Sequence, residues 1–191
     1  MPQQQRGHRR VAAFLRAAEE VITATGYERA TMSAIAQRAH SSIGSLYQFF
    51  PNKKSVAEAL RIHCIKQVEQ HWLALAKDAP GINAEELICK LVSLQLEIVK
   101  AHPALLALLE VPPSSRTSKW REVIRTRIAE VLVANKPELP HETALRSASV
   151  VQQVSRGLLM LYRRTEAGQK PAIVEEFKSV LKGYLLPKLK N

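Results

Sequence analysis

Only two cysteines, Cys64 and Cys89, occur in the chain, too few for a disulfide framework, and neither stands at a paired metal-binding spacing. No hydrophobic run reaches the length that spans a bilayer. The opening residues, Gln3 to Arg10, are polar and basic and lack the apolar centre of a secretion signal. These absences predict a reducing, cytoplasmic setting and no membrane partner. There is no glycine-rich phosphate loop and no organised carboxylate pair, so neither an enzyme nor a cofactor is expected. Internal repeats and low-complexity tracts are missing too. Acidic residues are scarce: 17 Asp and Glu face 28 Lys and Arg, giving a net charge of +11 and a pI near 10.0. That balance suits a polyanionic partner, yet by itself it fits DNA, RNA, an anionic surface or simple solubility equally well. Through Ser55 the count is eight basic residues to three acidic ones, so the positive charge is densest at the start.

What the chain has in abundance is helical periodicity, and the expected fold class is all-α. A three-helix domain is expected over residues 8–68 and a second helical domain over 69–191. The most informative stretch is Thr31 to Lys53, TMSAIAQRAHSSIGSLYQFFPNK. Thr31 is a good N-cap, and Met32, Ile35, Ala36 and Ala39 follow at the spacing of one apolar helix face. His40 and Ser41 make a turn. Ser42 can cap a second helix in which Leu46, Phe49 and Phe50 share a buried side, while Gly44, Ser45 and Gln48 point away and Tyr47 sits on the flank. This is the outline of a helix-turn-helix, at about residues 31–50.

A helix that enters the major groove needs a slim, uncharged face, because bulk or carboxylates would hold the backbone off the bases. Gly44 and Ser45 permit close approach, Gln48 can bond an adenine edge or a phosphate, and Tyr47 can set its hydroxyl on a phosphate. Pro51, Asn52, Lys53 and Lys54 then open a third helix with amides and cations at its start, a predicted phosphate clamp. The candidate DNA contacts are Thr31, Ser41, Ser42, Ile43, Gly44, Ser45, Tyr47, Gln48 and Lys53. Arg6 and Arg9, in and beside a flexible arm over residues 1–8, join them.

Gly26-Tyr27, Thr31, Ile35-Ala36, Ala39, Ser42, Gly44, Leu46-Tyr47, Phe50 and Lys53 stand in the order and spacing of the TetR family of transcriptional regulators, which the chain resembles without a gap over this stretch. It departs from the family pattern twice. The turn has His40 and Ser41 where the family commonly has glycine and an apolar residue, and Ile43 stands where a basic residue is frequent. His40 is therefore expected at a backbone angle that glycine tolerates better, at a cost of about 1 kcal/mol. Ile43 is expected to offer an apolar contact, such as one to a thymine methyl, in place of a phosphate contact. The resemblance implies a ligand-responsive regulator, expected to be a repressor, that binds palindromic operator DNA as a homodimer. It also implies release when a small, apolar effector enters a pocket among the C-terminal helices. The alternative is a constitutive nucleic-acid-binding or architectural protein with no effector.

The remaining chain supplies the scaffold. A first helix from about Arg9 to Thr25 carries Val11, Phe14, Leu15, Ala18, Val21 and Ile22 on one stripe and stops at Gly26. The helix from about Lys53 to Lys77 joins the two halves. On it His63, Gln67 and His71 share a face, but no carboxylate or cysteine completes a closed set at that spacing, so no metal site is expected. Further helices are predicted over about 84–101, 118–134, 141–166 and 171–188, with a short apolar element over 104–110 between His102-Pro103 and Pro112-Pro113. Arg121, Arg125 and Arg127 are expected to face outward.

Candidate pocket residues are polar or aromatic groups on otherwise buried helices: His63, Gln67, Gln95, Trp120, Gln152, Arg156 and Tyr162. The last two helices carry more apolar surface than one subunit needs. Val151, Leu158, Val174, Phe177, Leu181 and Tyr184 are the predicted dimer interface, which would build a four-helix contact from two copies.

Overall fold

A computed structural model of the chain describes residues 2–109, 111–112 and 115–190. Among the described residues every regular element is helical: α1 (Pro2–Thr25), α2 (Met32–Arg38), α3 (Ile43–Phe49), α4 (Lys53–Asp78), α5 (Ala84–Ala101), α6 (Ala104–Leu108), α7 (Ser115–Asn135), α8 (His141–Arg164) and α9 (Lys170–Leu189). Short 3₁₀ turns at Ala79–Gly81 and Ala167–Gln169 join α4 to α5 and α8 to α9. The chain is all-α, as its periodicity predicts. The largest departure is at the start, where α1 begins at Pro2 and takes in the residues read as a flexible arm. Proline in a first turn sacrifices no helical hydrogen bond, and the Gln and Arg residues that follow are good helix formers.

Two compact units form. The first comprises Met1–Cys64 and His102–Thr117, the second Ile65–Ala101 and Ser118–Asn191. The backbone thus leaves the first unit at Cys64, inside α4, and the segment carrying α6 returns to it.

The first unit is built on the stripe predicted for α1. Phe14, Ala18 and Ile22 are sealed from solvent, and they meet Ile35 and Ala36 of α2, Leu46 of α3, and Val56, Leu60 and Cys64 of α4. Phe14 and Phe49 pack with ring centroids 5.8 Å apart and planes tilted by 53°. Helix α6 covers another side of the same core with Ala104 and Leu108. Arg61 of α4 fastens its end: the guanidinium is almost wholly buried and donates to the carbonyls of Leu108, Val111 (2.6 Å) and Pro112 (3.5 Å). A cation placed on the last carbonyls of a helix satisfies groups that no intrahelical bond reaches.

In the second unit α9 packs against α5 and α8. Its core holds Leu87, Ile88 and Leu91 of α5, Ile128 and Leu132 of α7, Ala148, Val151 and Leu158 of α8, and Leu181 and Leu185 of α9. Arg127 does not simply face outward: it bridges Glu69 (2.8 Å) and Glu130 (2.9 Å), tying α7 to α4 within this unit. The paired carboxylates hold its guanidinium above its usual basicity, Glu130 first and Glu69 second. No helix among the described residues is long and apolar enough to cross a membrane.

Candidate nucleic-acid interface and effector region

Helix α2 starts and stops on local signals. The Thr31 hydroxyl accepts from the Ala34 amide (3.1 Å), and at the far end His40 N–H donates to Gln37 O and Ser41 N–H to Ala36 O, both at 3.0 Å. This paired closure places the intervening residue in the left-handed region, where glycine is normally chosen. Here it is His40, with φ of 49°. The expected strain is present, and the imidazole is exposed.

Ser42 begins α3 in the same way, accepting from the Ser45 amide at 3.2 Å. The helix ends at Phe50, extended because Pro51 follows and sterically disfavours the helical conformation before it. Leu46 is sealed into the core, while Ile43, Gly44, Tyr47 and Gln48 are exposed. These four occupy neighbouring positions on consecutive turns and form one continuous uncharged ridge. A side chain at Gly44 would meet no other atom within 4 Å, so nothing crowds that part of the ridge.

Ser45 does not belong to the ridge. Its hydroxyl oxygen is buried and without a partner, because position 45 lies one turn before Phe49 and turns with it toward the core. Contrary to its predicted role at the bases, Ser45 turns its hydroxyl away from the exposed face. Ser41 is half-buried and donates to Ala39 O (3.2 Å), so its hydroxyl helps close the turn. Thr31 and Ser42 are exposed as well as capping.

The predicted phosphate clamp is also different in detail. Lys53 folds back, its ammonium donating to the carbonyls of Tyr27 and Glu28 (2.9 Å each) and lying 4.5 Å from the Tyr27 ring centre. The start of α4 is closed by a reciprocal pair in which Asn52 Oδ1 accepts from Ser55 N (2.9 Å) and the Ser55 hydroxyl bonds Asn52 O (2.6 Å). Lys54 is the exposed cation at this helix start. Burial, with a smaller push from Glu28, raises the Tyr27 phenol above its ordinary pKa, in keeping with a packed ring. Arg6 and Arg9 are exposed along α1.

The pocket candidates fare unevenly. His63 is exposed, which removes the reason for choosing it, and Gln95 is half-buried on α5. The side chains of Gln67 and Trp120 lie outside the described residues. Gln152 donates its amide to Arg121 O (3.0 Å), and Tyr162 lies under the Lys170 ammonium (4.6 Å). Arg156 is near Arg121, and desolvation together with that like charge lowers the basicity of Arg121. Arg121 is exposed, as its sequence position predicts, while Arg156 on α8 is half-buried, so two like charges lie near each other on α7 and α8.

The predicted interface residues divide too. Val151, Leu158 and Leu181 are buried within their own subunit, so they are core and not contact surface. Val174, Phe177 and Tyr184 are half-buried, Phe177 lying beside Gly157. The large apolar side chains left exposed on these helices are Val150, Leu161 and Val180. Spacing alone cannot tell which side of a helix with apolar residues most of the way round faces its own core.

Residues 14–60 match the family described as bacterial regulatory proteins, tetR family, and residues 84–185 match the tetracyclin repressor-like C-terminal domain. No curated protein matches the chain in sequence. The fold is shared with FadR from Bacillus subtilis, solved in complex with stearoyl-CoA, at 19% identity and a TM-score of 0.67 over 94% of this chain and 99% of that one. A TetR-family regulator from Pectobacterium atrosepticum superposes with a TM-score of 0.75 at 16% identity, covering 95% and 94% of the two chains. A transcriptional regulator from Rhodococcus gives 0.69 at 20% identity, over 95% and 98%. With a helix-turn-helix at its start and matched family domains along most of its length, this chain belongs to the TetR family of transcriptional regulators.

Proposed function

We propose that the protein is a repressor that binds palindromic operator DNA as a homodimer and releases it when a small effector binds the C-terminal helices. The observation that carries the reading is the exposed, uncharged ridge of Ile43, Gly44, Tyr47 and Gln48 on a helix capped at Ser42. Such a ridge suits the floor of the major groove, with Gln48 reaching base edges, Ile43 a thymine methyl and Tyr47 a phosphate. Two copies would present two ridges to half-sites about 34 Å apart, or a multiple of that spacing. Val150, Leu161 and Val180 are the apolar groups a partner copy would cover.

Helix α4 runs without interruption from Lys53 to Asp78 and so belongs to both units, which makes it the element through which an effector would act on the reading head. The effector must bind the DNA-incompetent arrangement better; a coupling of about 1–3 kcal/mol changes operator affinity about 5- to 150-fold. The effector would be a mainly apolar molecule, and the neighbouring cations Arg121 and Arg156 would accommodate an anionic group on it. The stearoyl-CoA held by the Bacillus subtilis FadR belongs to that class.

Selection of bound duplexes from a random pool, at a stated salt concentration, tests the reading. A palindromic consensus is expected, followed by loss of retention on adding acyl thioesters or similar amphiphilic anions. Failure to prefer any duplex over random competitor overturns it. A consensus bound regardless of every added compound would leave a DNA-binding protein without an effector.

A further inference from the structure

Among the described residues, three metal-donor side chains from distant parts of the sequence converge in the N-terminal unit. They are Glu19 on α1, Cys64 on α4 and His102 just beyond α5, with their donor atoms all within 4.8 Å of one another. The His102 Nδ1 and a Glu19 oxygen are already 3.2 Å apart. We propose that Glu19, Cys64 and His102 form a binding site for a divalent transition-metal ion of the zinc type.

Donors on a tetrahedral ion with bonds of about 2.0–2.3 Å stand about 3.3–3.7 Å from each other, so the set needs a contraction of about 1 Å at its widest and none between Glu19 and His102. The donor types agree with such an ion. One thiolate and one imidazole favour borderline metals over magnesium or calcium, and the carboxylate supplies the third bond. Charge agrees as well. Carboxylate, thiolate and neutral imidazole carry two negative charges between them, which a divalent cation cancels, so the loaded site is neutral in a region where uncompensated charge is costly.

Without metal, burial, reinforced by Glu19, pushes the Cys64 thiol up to about 12, so it is held protonated; coordination replaces the Sγ proton, which passes to solvent. Cys64 is completely buried, but the side chains of His102 and Glu19 retain 16% and 23% exposure, so an ion has a way in from their side. Three protein donors leave the fourth position to water or to a small ligand. The place is also informative. Cys64 is the last residue before the backbone leaves this unit and His102 the first on its return, so an ion there would tie both crossings to α1.

The test uses the full-length protein and cobalt(II) as probe. Titration of the metal-free, reduced protein is expected to produce a thiolate-to-cobalt charge-transfer band that zinc displaces. The band should vanish in Cys64→Ser, persist in Cys89→Ser, and require at least tenfold more cobalt in His102→Gln and Glu19→Gln. The last two positions are partly exposed, so these variants should keep the unfolding temperature of the metal-free wild type, and they carry the test if Cys64→Ser is unstable. Absence of a charge-transfer band, or a band retained in Cys64→Ser, or unaltered cobalt demand in both His102→Gln and Glu19→Gln, overturns the site and leaves Glu19 and His102 as a hydrogen-bonded pair.

Discussion

The ammonium of Lys53 sits 4.5 Å above the ring of Tyr27 while bonding that residue's own carbonyl, so the first residue of α4 pins the loop between α1 and α2. A cation bonded to two carbonyls and stacked on an aromatic ring is structural. Lys53→Met is expected to lower stability by about 1–2 kcal/mol. Chemical denaturation measures it; an unchanged midpoint would return Lys53 to the role of a plain phosphate contact.

The ridge on α3 should behave in the opposite way. Tyr47→Ala and Gln48→Ala remove exposed side chains and are expected to leave the melting temperature within a degree or two of wild type. Each should weaken binding to a selected operator by about 1–3 kcal/mol, or roughly 5- to 150-fold. Fluorescence anisotropy at matched salt decides between this and a helix that touches no DNA, for which affinities would not change.

His40 offers a test of backbone strain. A left-handed residue other than glycine costs about 1–2 kcal/mol, and glycine gives back about 0.5–1 of that as unfolded-state entropy. His40→Gly should therefore be more stable by up to about 1 kcal/mol, and His40→Val less stable by about 1–2. Equal unfolding free energies for all three proteins would contradict the geometry of the turn.

Arg61 is nearly buried and bonded to the end of α6, so truncating it removes buried charge-assisted bonds to the carbonyls of Leu108 and Val111. Arg61→Met is expected to cost about 2–3 kcal/mol. Hydrogen exchange should show the loss spreading through residues 102–112 before the rest of the first unit. A uniform change would argue that α6 is not a separately anchored element.

The interface prediction concerns solution behaviour. Val150→Lys combined with Val180→Lys places charge on exposed positions of α8 and α9, and is expected to give a folded monomer with wild-type helicity and much weakened operator binding. Sedimentation of the double variant as a dimer would move the contact elsewhere.

The helices and their caps were legible because they rest on short-range chemistry: Thr31, Ser42 and Gly26 announce boundaries within one turn of where they act. The inward face of α3 was legible from Leu46 and Phe49, but Ser45 was misplaced, since a small polar residue beside an apolar stripe can turn either way. Lys53 and Arg61 were opaque for another reason. Their partners, Tyr27 and Val111, lie many residues away, and a lone cation in a sequence carries no sign of a carbonyl waiting for it. Sequence distance likewise separates Glu19, Cys64 and His102, which no short donor spacing announces. On α8 and α9 the apolar excess was visible, yet its division between own core and outer surface depends on where α5 and α7 lie.

The return of residues 102–117 to the first unit bears on protein engineering. A reading head cut off after residue 68 would lack Ala104, Leu108 and the acceptors of Arg61, leaving one flank of Phe14 and Leu60 unroofed. Chimeras that graft this head onto another regulator's body must therefore carry two pieces of the gene, the second taken from the middle of the nominal body.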